Sequence, residues 1–214
     1  MLSNHDVTRH PTRFGGGELG LRRARAGTLL MLALPGGAYL YQGEELGLEE
    51  VLDIPDEQRR DPIFARTAGE RLGRDGCRVP LPWAGTRAPF GFGPAGTPWL
   101  PQPACWARLT AAAQNDDPAS TLQFYRTALR IRRDNPALGA GTMTWVDSPD
   151  GTLAFTRGTA FACVINYTDH RAGLPSGLEN AQPILASGRS PRGTLAPATA
   201  AWFRLDPATG DGEP

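Results

Sequence analysis

Two segments place hydrophobic residues at the three- and four-residue steps of an amphipathic helix. The first covers residues 18–34 and is ended by the Pro-Gly-Gly sequence at 35–37, because proline lacks a helical donor and glycine tolerates the turn. The second begins after Ser120, which forms a capping box with Gln123. It extends to about residue 134, where an Asn-Pro pair stops it.

The hydrophobic period changes to two after residue 139, which predicts a small antiparallel sheet. The expected strands cover residues 142–147, 153–157, 161–166 and 201–205, with a weaker strand at 182–186. A short apolar run at 38–42 is instead typical of a buried parallel strand. Together with the preceding helix, it would form the second half of a βαβ unit.

Residues 44–119 show little periodicity and are rich in Pro, Gly, Arg and Trp. So long an irregular segment is uncommon unless it carries function. In a barrel enzyme it would suit the loop after the last strand, because loops at that face build the active site. We expect short helical turns in it, around residues 55–57 and 103–113.

Residues 3–10 place two histidines, an aspartate and an arginine directly after a short apolar lead. Polar groups in a loop next to a short apolar segment are typical of the carboxyl end of a barrel strand that carries chemistry. The alternative is a solvated, polar N-terminal tail. From these eight residues alone, both interpretations stay open.

Four segments along the chain carry recognisable motifs: SNHDVTR from Ser3, YLYQGEELGL at 39–48, GRDGCRVPLPW at 73–83 and FYRTALRIRRDNPAL at 124–138. They resemble motifs of glycoside hydrolase family 13, the α-amylase and α-glucosidase family, in the order that the family requires. The first resembles the Asn-His-Asp motif that closes the family's seventh barrel strand, and the second resembles the eighth strand and its loop. GRDGCRVPLPW at 73–83 resembles an α-glucosidase stretch, with Val79 where threonine is usual. FYRTALRIRRDNPAL at 124–138 resembles the last barrel helix.

This resemblance implies an α/β plus all-β fold. Residues 1–138 would be the C-terminal part of a catalytic (β/α)8 TIM barrel, and 139–206 a small antiparallel β-sandwich domain. Residues 207–214 would be a tail. Members of the family carry several hundred residues before the Asn-His-Asp motif, including six barrel strands. We therefore expect the chain to be the C-terminal fragment of an α-glucosidase or oligo-1,6-glucosidase-like enzyme.

The resemblance also assigns roles to four side chains. Asp6 matches the aspartate that grips two hydroxyls of the reacting sugar and stabilises the transition state. His5 would donate to the same sugar, whereas Arg9 and Arg78 would bind substrate. The alternatives are structural: Asp6 as a helix or loop cap, His5 as a hydrogen-bonded loop histidine, and Arg9 in a salt bridge to a loop carboxylate. The resemblance implies no cofactor.

Retaining glycoside hydrolysis needs a nucleophilic and an acid/base carboxylate roughly 5–5.5 Å apart. No segment resembles either motif, so we expect the chain to be inactive alone, with an oligosaccharide or α-glucoside as substrate only in association with the N-terminal barrel portion. Glu44 and Glu45 are adjacent and therefore point apart, and we leave them out of the catalytic residues. A second hypothesis is a free-standing carbohydrate-binding or structural module. Its stacking platform would consist of Trp83, Phe90, Phe92, Trp99 and Trp106.

The composition limits the classes of partner and the cellular compartment that we expect for this chain. The 22 basic and 22 acidic residues balance, which argues against nucleic-acid and anionic-membrane partners. No apolar run approaches the roughly 20 residues that span a membrane. The 3 cysteines are far apart, which favours reduced thiols in a cytoplasmic protein. His5, Asp6 and His10 lack common zinc spacing, so we expect no metal site.

Overall fold

A computed structural model describes residues 1–93, 96–189 and 192–205. The chain divides into two compact units. The first contains Met1–Ala24 and Tyr39–Arg126, and the second contains Arg25–Ala38 and the described part of Thr127–Pro214. The domain boundary expected after residue 138 stays a prediction, and the expected tail at 207–214 lies outside the described residues.

Both long helices form where the hydrophobic pattern predicts them. A short helix, α1 (His10–Arg13), precedes α2, which covers Gly17–Ala33. The second predicted helix, here α5, covers Thr121–Asp134. Ser120 caps its start as expected, since the Gln123 amide donates to Ser120 Oγ at 3.2 Å. The reciprocal half of the expected capping box is not formed, because the Ser120 amide donates to the Asp117 carbonyl at 3.0 Å instead.

The irregular segment is folded around its own apolar core. Its short helices are three 3₁₀ turns at Asp56–Gln58, Asp75–Cys77 and Ala104–Arg108, and two α-helices, α3 (Pro62–Arg66) and α4 (Ala111–Asn115). The turns near 55–57 and 103–113 are thus confirmed, while α3 and the turn at Asp75–Cys77 were not expected. Its buried core residues are Leu46, Leu48, Val51, Ile54, Val79, Leu81, Phe90, Leu100, Trp106 and Leu122.

The buried strand expected at 38–42 is not formed in the described structure. Tyr39 is 72% exposed, and the carbonyls that a strand ladder would use accept other donors. The Tyr41 carbonyl accepts from the Glu44 amide at 3.0 Å, and the Gln42 carbonyl accepts from Arg9 Nη1 at 2.9 Å. A strand needs a paired neighbour for its backbone, and turn and side-chain contacts take that place here.

The second unit contains the predicted antiparallel sheet, preceded by α6 (Pro136–Ala140). The strands are β1 (Met143–Val146), β2 (Thr152–Arg157), β3 (Phe161–Asn166), β4 (Ala172–Gly173), β5 (Pro183–Ala186), β6 (Thr194–Leu195) and β7 (Thr199–Arg204). Five of them form one sheet in the order β1-β2-β3-β7-β5, and β4 pairs with β6. Every pairing of named strands is antiparallel.

Both faces of the five-stranded sheet are buried in its centre. On one face, Val164 and Phe203 pack in a cluster with Leu174 and Leu195, which lie beside and within the β4–β6 pair. On the other face, the Trp202 indole is fully buried, and its Nε1 donates to the Leu29 carbonyl of α2 at 3.1 Å. The antiparallel sheet is therefore confirmed, whereas the barrel portion and the β-sandwich stay predictions. Within the described residues, none of the helices is both long and apolar enough to cross a bilayer.

Candidate functional site

Asp6 lies in a tight loop near the start of the chain. Its amide donates to Asn4 Oδ1 at 2.8 Å, and an antiparallel bridge joins Asn4 to Val7. An Asn side chain that binds the backbone two residues ahead stabilises such a turn. The turn presents the Asp6 side chain half-exposed, with 49% of its surface accessible.

Two arginines from the irregular segment hold one oxygen of this carboxylate. Arg74 Nη1 lies 2.9 Å and Arg78 Nη2 3.0 Å from Asp6 Oδ1. The other oxygen, Oδ2, lies 3.4 Å from His5 Nε2. Arg78 also donates through Nε to the His5 carbonyl at 2.8 Å, which ties the loop to the irregular segment. The structure thus brings Asp6, His5 and Arg78 together and leaves Oδ2 facing the exposed imidazole.

The surroundings of Asp6 favour its ionised form. Burial of the carboxyl opposes ionisation, but the hydrogen bond from Arg74 and the charges of His5 and Arg74 outweigh it and hold the pKa of Asp6 below its ordinary value. Asp6 is therefore a carboxylate at neutral pH. A carboxylate oxygen beside an imidazole suits the hydroxyl groups of a sugar, because each hydroxyl both donates and accepts hydrogen bonds.

A second aspartate, Asp61, lies behind Arg74 and is buried. Its Oδ2 accepts from Arg74 Nε at 2.6 Å and from the Arg74 amide at 3.0 Å. Its Oδ1 accepts from the Ile63 amide at 3.1 Å, which caps α3. The hydrogen bond from Arg74 holds the pKa of the Asp61 carboxyl far below its usual range. Sequence reasoning missed Asp61 and Arg74 as site residues. The Asp61-Pro62 pair predicts a helix start, but nothing local reveals the contact with Arg74.

Arg9 is close to Asp6 in sequence but occupies a different environment. Its side chain is 1% exposed and donates to the Gln42 carbonyl through Nη1 and to the Cys77 carbonyl through Nη2, both at 2.9 Å. The Tyr41 ring lies 5.1 Å from the guanidinium. Burial lowers the pKa of Arg9. These contacts support the structural alternative, although with carbonyls rather than a carboxylate, and substrate binding by Arg9 stays a prediction.

A buried polar cluster adjoins the same loop. His10 Nδ1 lies 2.8 Å from Ser3 Oγ, which also accepts from the His10 amide at 2.9 Å. Glu44 accepts from the Ser3 amide at 3.0 Å and lies 3.8 Å from His10 Nδ1. Burial lowers the pKa of His10 to about 4 and raises the pKa of Glu44 to about 7. Gly43, at a φ of 91°, keeps this turn compact, because a Cβ there would lie 2.7 Å from Arg9 Nη1.

The stacking platform expected of a binding module is not formed as predicted. Phe90 and Trp106 are core residues, exposed by only 1% and 3%. Trp83, Phe92 and Trp99 keep about half of their surfaces accessible. The apolar core of the irregular segment explains the difference, because it needs large side chains from the loop itself. Across the described ranges, no group of three or more His, Cys, Asp or Glu side chains is placed to hold a metal ion.

Comparison with known proteins identifies relatives along the chain. The family model described as the alpha-amylase catalytic domain matches residues 1–141. A probable alpha-glucosidase of Rhizobium meliloti is 34% identical over 191 residues, which cover 87% of this chain and 34% of that protein. An oligo-1,6-glucosidase of Parageobacillus thermoglucosidasius is 29% identical over 159 residues, which cover 66% of this chain and 28% of that protein.

Solved structures extend the similarity to nearly the whole chain. An alpha-glucosyl transfer enzyme is 33% identical, with a TM-score of 0.77, over 95% of this chain and 39% of its own. An isomaltulose synthase variant from Erwinia rhapontici, solved with D-glucose, is 26% identical, with a TM-score of 0.78, over 96% of this chain and 42% of its own. The chain thus spans about a third of the length of the curated relatives named here. The matched model covers well over half of the 214 residues, and the chain belongs to the α-amylase family of glycoside hydrolases, family 13.

Proposed function

We propose that this chain supplies the sugar-gripping aspartate of an α-glucosidase-like, retaining glycoside hydrolase that acts on α-glucosidic bonds of oligosaccharides. The observation that carries the proposal is the Asp6 carboxylate, held through Oδ1 by Arg74 and Arg78 and open at Oδ2 beside His5. A fixed, ionised carboxylate stabilises the positive charge that develops on the sugar in the oxocarbenium-like transition state.

The arrangement fits the part of a glycosidase that binds and distorts sugar. Asp6 Oδ2 would accept hydrogen bonds from hydroxyls of the reacting glucosyl unit, and the exposed His5 ring would contact the same unit. Arg78 would keep the loop in place through the His5 carbonyl while its charge favours the Asp6 carboxylate. Asp61 is buried and bound to Arg74, so it suits neither nucleophilic attack nor proton donation.

The nucleophile and the acid/base carboxylate would then come from a preceding barrel portion with which this chain associates. Several apolar side chains of the first unit are exposed, among them Val7, Leu19, Tyr39, Leu40 and Leu52, and such a portion would cover part of this surface. Without that portion, the purified chain should not hydrolyse an aryl α-glucoside or maltose, because double displacement needs both missing groups.

The test is a chimaera in which this chain replaces the matching third of the Rhizobium meliloti relative. We expect the chimaera to cleave an aryl α-glucoside, and Asp6→Asn to lower kcat on the order of 10²–10³-fold, since the amide keeps the shape but loses the charge. His5→Ala should lower kcat by a smaller factor and should also raise KM. Trp145→Ala, at an exposed position in β1, is the matched control.

Two outcomes would contradict the proposal. The first is an active chimaera whose Asp6→Asn variant turns over normally, which would remove Asp6 from the site. The second is turnover by the 214-residue chain alone that disappears with Asp6→Asn, which would show that these residues already hold a complete active site.

A further inference from the structure

Asp6 is connected to the interior of the first unit by a continuous chain of charged side chains. Arg74 binds Asp6 with Nη1 at 2.9 Å and Asp61 with Nε at 2.6 Å, so one guanidinium bridges both carboxylates. Arg74 Nη2 adds a longer contact of 3.4 Å to Asp61 Oδ1. Arg78, the second arginine on Asp6, lies 4.0 Å from Asp61 Oδ2 through Nη1.

The two ends of this bridge differ in exposure to solvent. The Asp61 side chain is 1% exposed, whereas the Asp6 side chain is 49% and the Arg74 side chain 44% exposed. Asp61 is fixed by further contacts, because it accepts from the Ile63 and Arg74 amides while its own amide donates to Asp75 Oδ2 at 3.0 Å. A half-exposed arginine loses rotamer freedom when it binds, and a buried acceptor that is already fixed reduces that cost.

From this geometry, we propose that Asp61 is a positioning residue for the sugar site: it holds Arg74 in the orientation that fixes the Asp6 carboxylate, although it does not touch Asp6. The inference depends on the proposed function only for what the fixed carboxylate is used for. The positioning itself is a property of the free chain and is measurable without substrate or turnover.

Asp61→Asn tests the contact between Asp61 and Arg74, because it changes one of the two carboxylate oxygens that bind neighbouring groups. The amide oxygen can still accept from the Ile63 amide, and asparagine caps helices about as well as aspartate, so α3 keeps its start. The position of Oδ2, however, becomes an NH₂ group that faces two donors, Arg74 Nε and the Arg74 amide. The Arg74 side chain should therefore leave Asp61, and its hold on Asp6 should weaken.

The pKa of Asp6 distinguishes the loss of a positioned Arg74 from the simple loss of the Asp61 charge, because the two losses shift this pKa in opposite directions. Loss of the negative Asp61 alone would lower the pKa of Asp6, since a nearby like charge disfavours ionisation. Loss of the fixed Arg74 would raise it, since Arg74 is one of the groups that hold this pKa down. The other charged groups facing Asp6, His5 and Arg78, are unchanged by the substitution.

The experiment is a carbon-13 NMR titration of the Asp6 carboxyl in the full chain, free of ligand. We expect Asp61→Asn to shift the pKa of Asp6 upward. Asp56→Asn is the matched control, because it removes the same charge from an exposed side chain that binds Arg59 instead. The inference is overturned if the pKa of Asp6 falls or stays constant in Asp61→Asn.

Two further variants keep the test decisive. Arg74→Lys leaves Asp61 intact, but its single ammonium cannot reproduce the fork that reaches both carboxylates, so the pKa of Asp6 should again rise. This variant serves if Asp61→Asn does not fold. In an Arg74→Ala background, Asp61→Asn should no longer raise the pKa of Asp6, because the link is already broken. An unchanged pKa in Arg74→Lys, or an equal rise with and without Arg74, would overturn the inference.

Discussion

The two units satisfy their backbone hydrogen bonds by different means. In the second unit, β3 exchanges ladder bonds with β2 on one side and β7 on the other, and apolar side chains fill both faces. In the first, buried polar side chains take over this role: Asp75 Oδ2 accepts from the Arg60 and Asp61 amides, and Gln114 donates to the Leu46 carbonyl. A long loop can therefore be ordered without strands, provided that buried side chains replace the ladder.

This difference also explains where the candidate site lies. A strand ladder uses backbone groups and leaves side chains to pack, whereas the first unit already contains ionised groups such as Asp61 and Arg74 in contact with each other. Asp6 is joined to that network rather than to an isolated surface charge. The site is thus an extension of the interactions that fold the irregular segment.

The largest effect on stability should come from the apolar core of the second unit. Trp202→Ala removes a fully buried indole that packs edge-on against Phe161 at 5.5 Å and donates to Leu29, and should lower the free energy of unfolding by about 3–5 kcal/mol. Trp145→Ala, 62% exposed on β1, should cost less than about 1 kcal/mol. Urea denaturation followed by circular dichroism measures both. Equal losses would mean that the sheet does not depend on this core.

Glu44 should make the stability of the first unit depend on pH. Its pKa rises from 4.5 to about 7 in the folded chain, so the folded state binds the proton more tightly than the unfolded state. Stability from this group is therefore full below about pH 4.5 and is lost as the pH rises to 7. This pKa shift corresponds to a loss of about 3 kcal/mol in the free energy of unfolding.

Glu44→Gln removes this titration and keeps an acceptor for the Ser3 amide. The variant should match the original chain at pH 4 and exceed its free energy of unfolding by up to about 3 kcal/mol at pH 8. His10, with a pKa lowered to about 4, loses its contribution as the pH falls from 6.5 to 4, but it does so in both proteins and cancels in the difference. A difference that is constant with pH would contradict the assignment to Glu44.

The parts of the fold that sequence reasoning predicted are those governed by local period. β3 was predicted at its observed bounds, Phe161–Asn166, and α2 within a residue at each end. β4 and β6 contain two residues each, too few to show a period of two, and were missed. The run at 38–42 has the composition of a strand, but pairing decides whether a strand forms.

The site was predictable only in part, for a similar reason. Asp6, His5 and Arg78 were assigned from a resemblance, and the structure brings them into contact. Asp61 lies 13 residues from Arg74 and 55 from Asp6, and its contact with Arg74 depends on how the irregular segment folds. The pattern of apolar and polar residues predicts local elements, and it does not predict a contact between side chains that are distant in sequence. The assigned roles of these residues toward sugar remain predictions.

Two buried arginines, one in each unit, make similar contacts with backbone carbonyls. Arg9 and Arg157 are each 1% exposed, and in the described part of the chain neither pairs with a carboxylate through its side chain. Arg9 donates to the Gln42 and Cys77 carbonyls. Arg157 donates to the Ala33 carbonyl at the end of α2 at 2.7 Å and to the Gly141 carbonyl at 2.9 Å. In both units, a buried arginine thus donates to backbone carbonyls that lie outside a strand ladder.

Arg9→Met should lower the free energy of unfolding by about 2 kcal/mol, a smaller effect than the loss of Trp202. Methionine fills similar space but removes the charged donor of the Gln42 and Cys77 carbonyls, and a hydrogen bond to a charged group contributes about 1.5–3 kcal/mol. The Cys77 carbonyl keeps the Tyr41 hydroxyl as a donor at 2.9 Å, so the Gln42 carbonyl is the group left without a partner. Part of that cost is offset, because a desolvated guanidinium is also removed. Arg22→Met removes the same charge from an exposed position of α2 and should change stability by less than about 0.5 kcal/mol.

Arg157→Met completes the test in the second unit. Arg157 also lies within 3.3 Å of the Leu138 carbonyl and 3.4 Å of the Gly139 carbonyl, so more acceptors lose a donor than at Arg9. Arg157→Met should therefore lower the free energy of unfolding by at least as much as Arg9→Met. Urea denaturation of the three variants under one condition decides the point. If Arg9→Met were as mild as Arg22→Met, the irregular segment would be held by its apolar core alone, and the contrast between a ladder-built and a side-chain-built unit would fail.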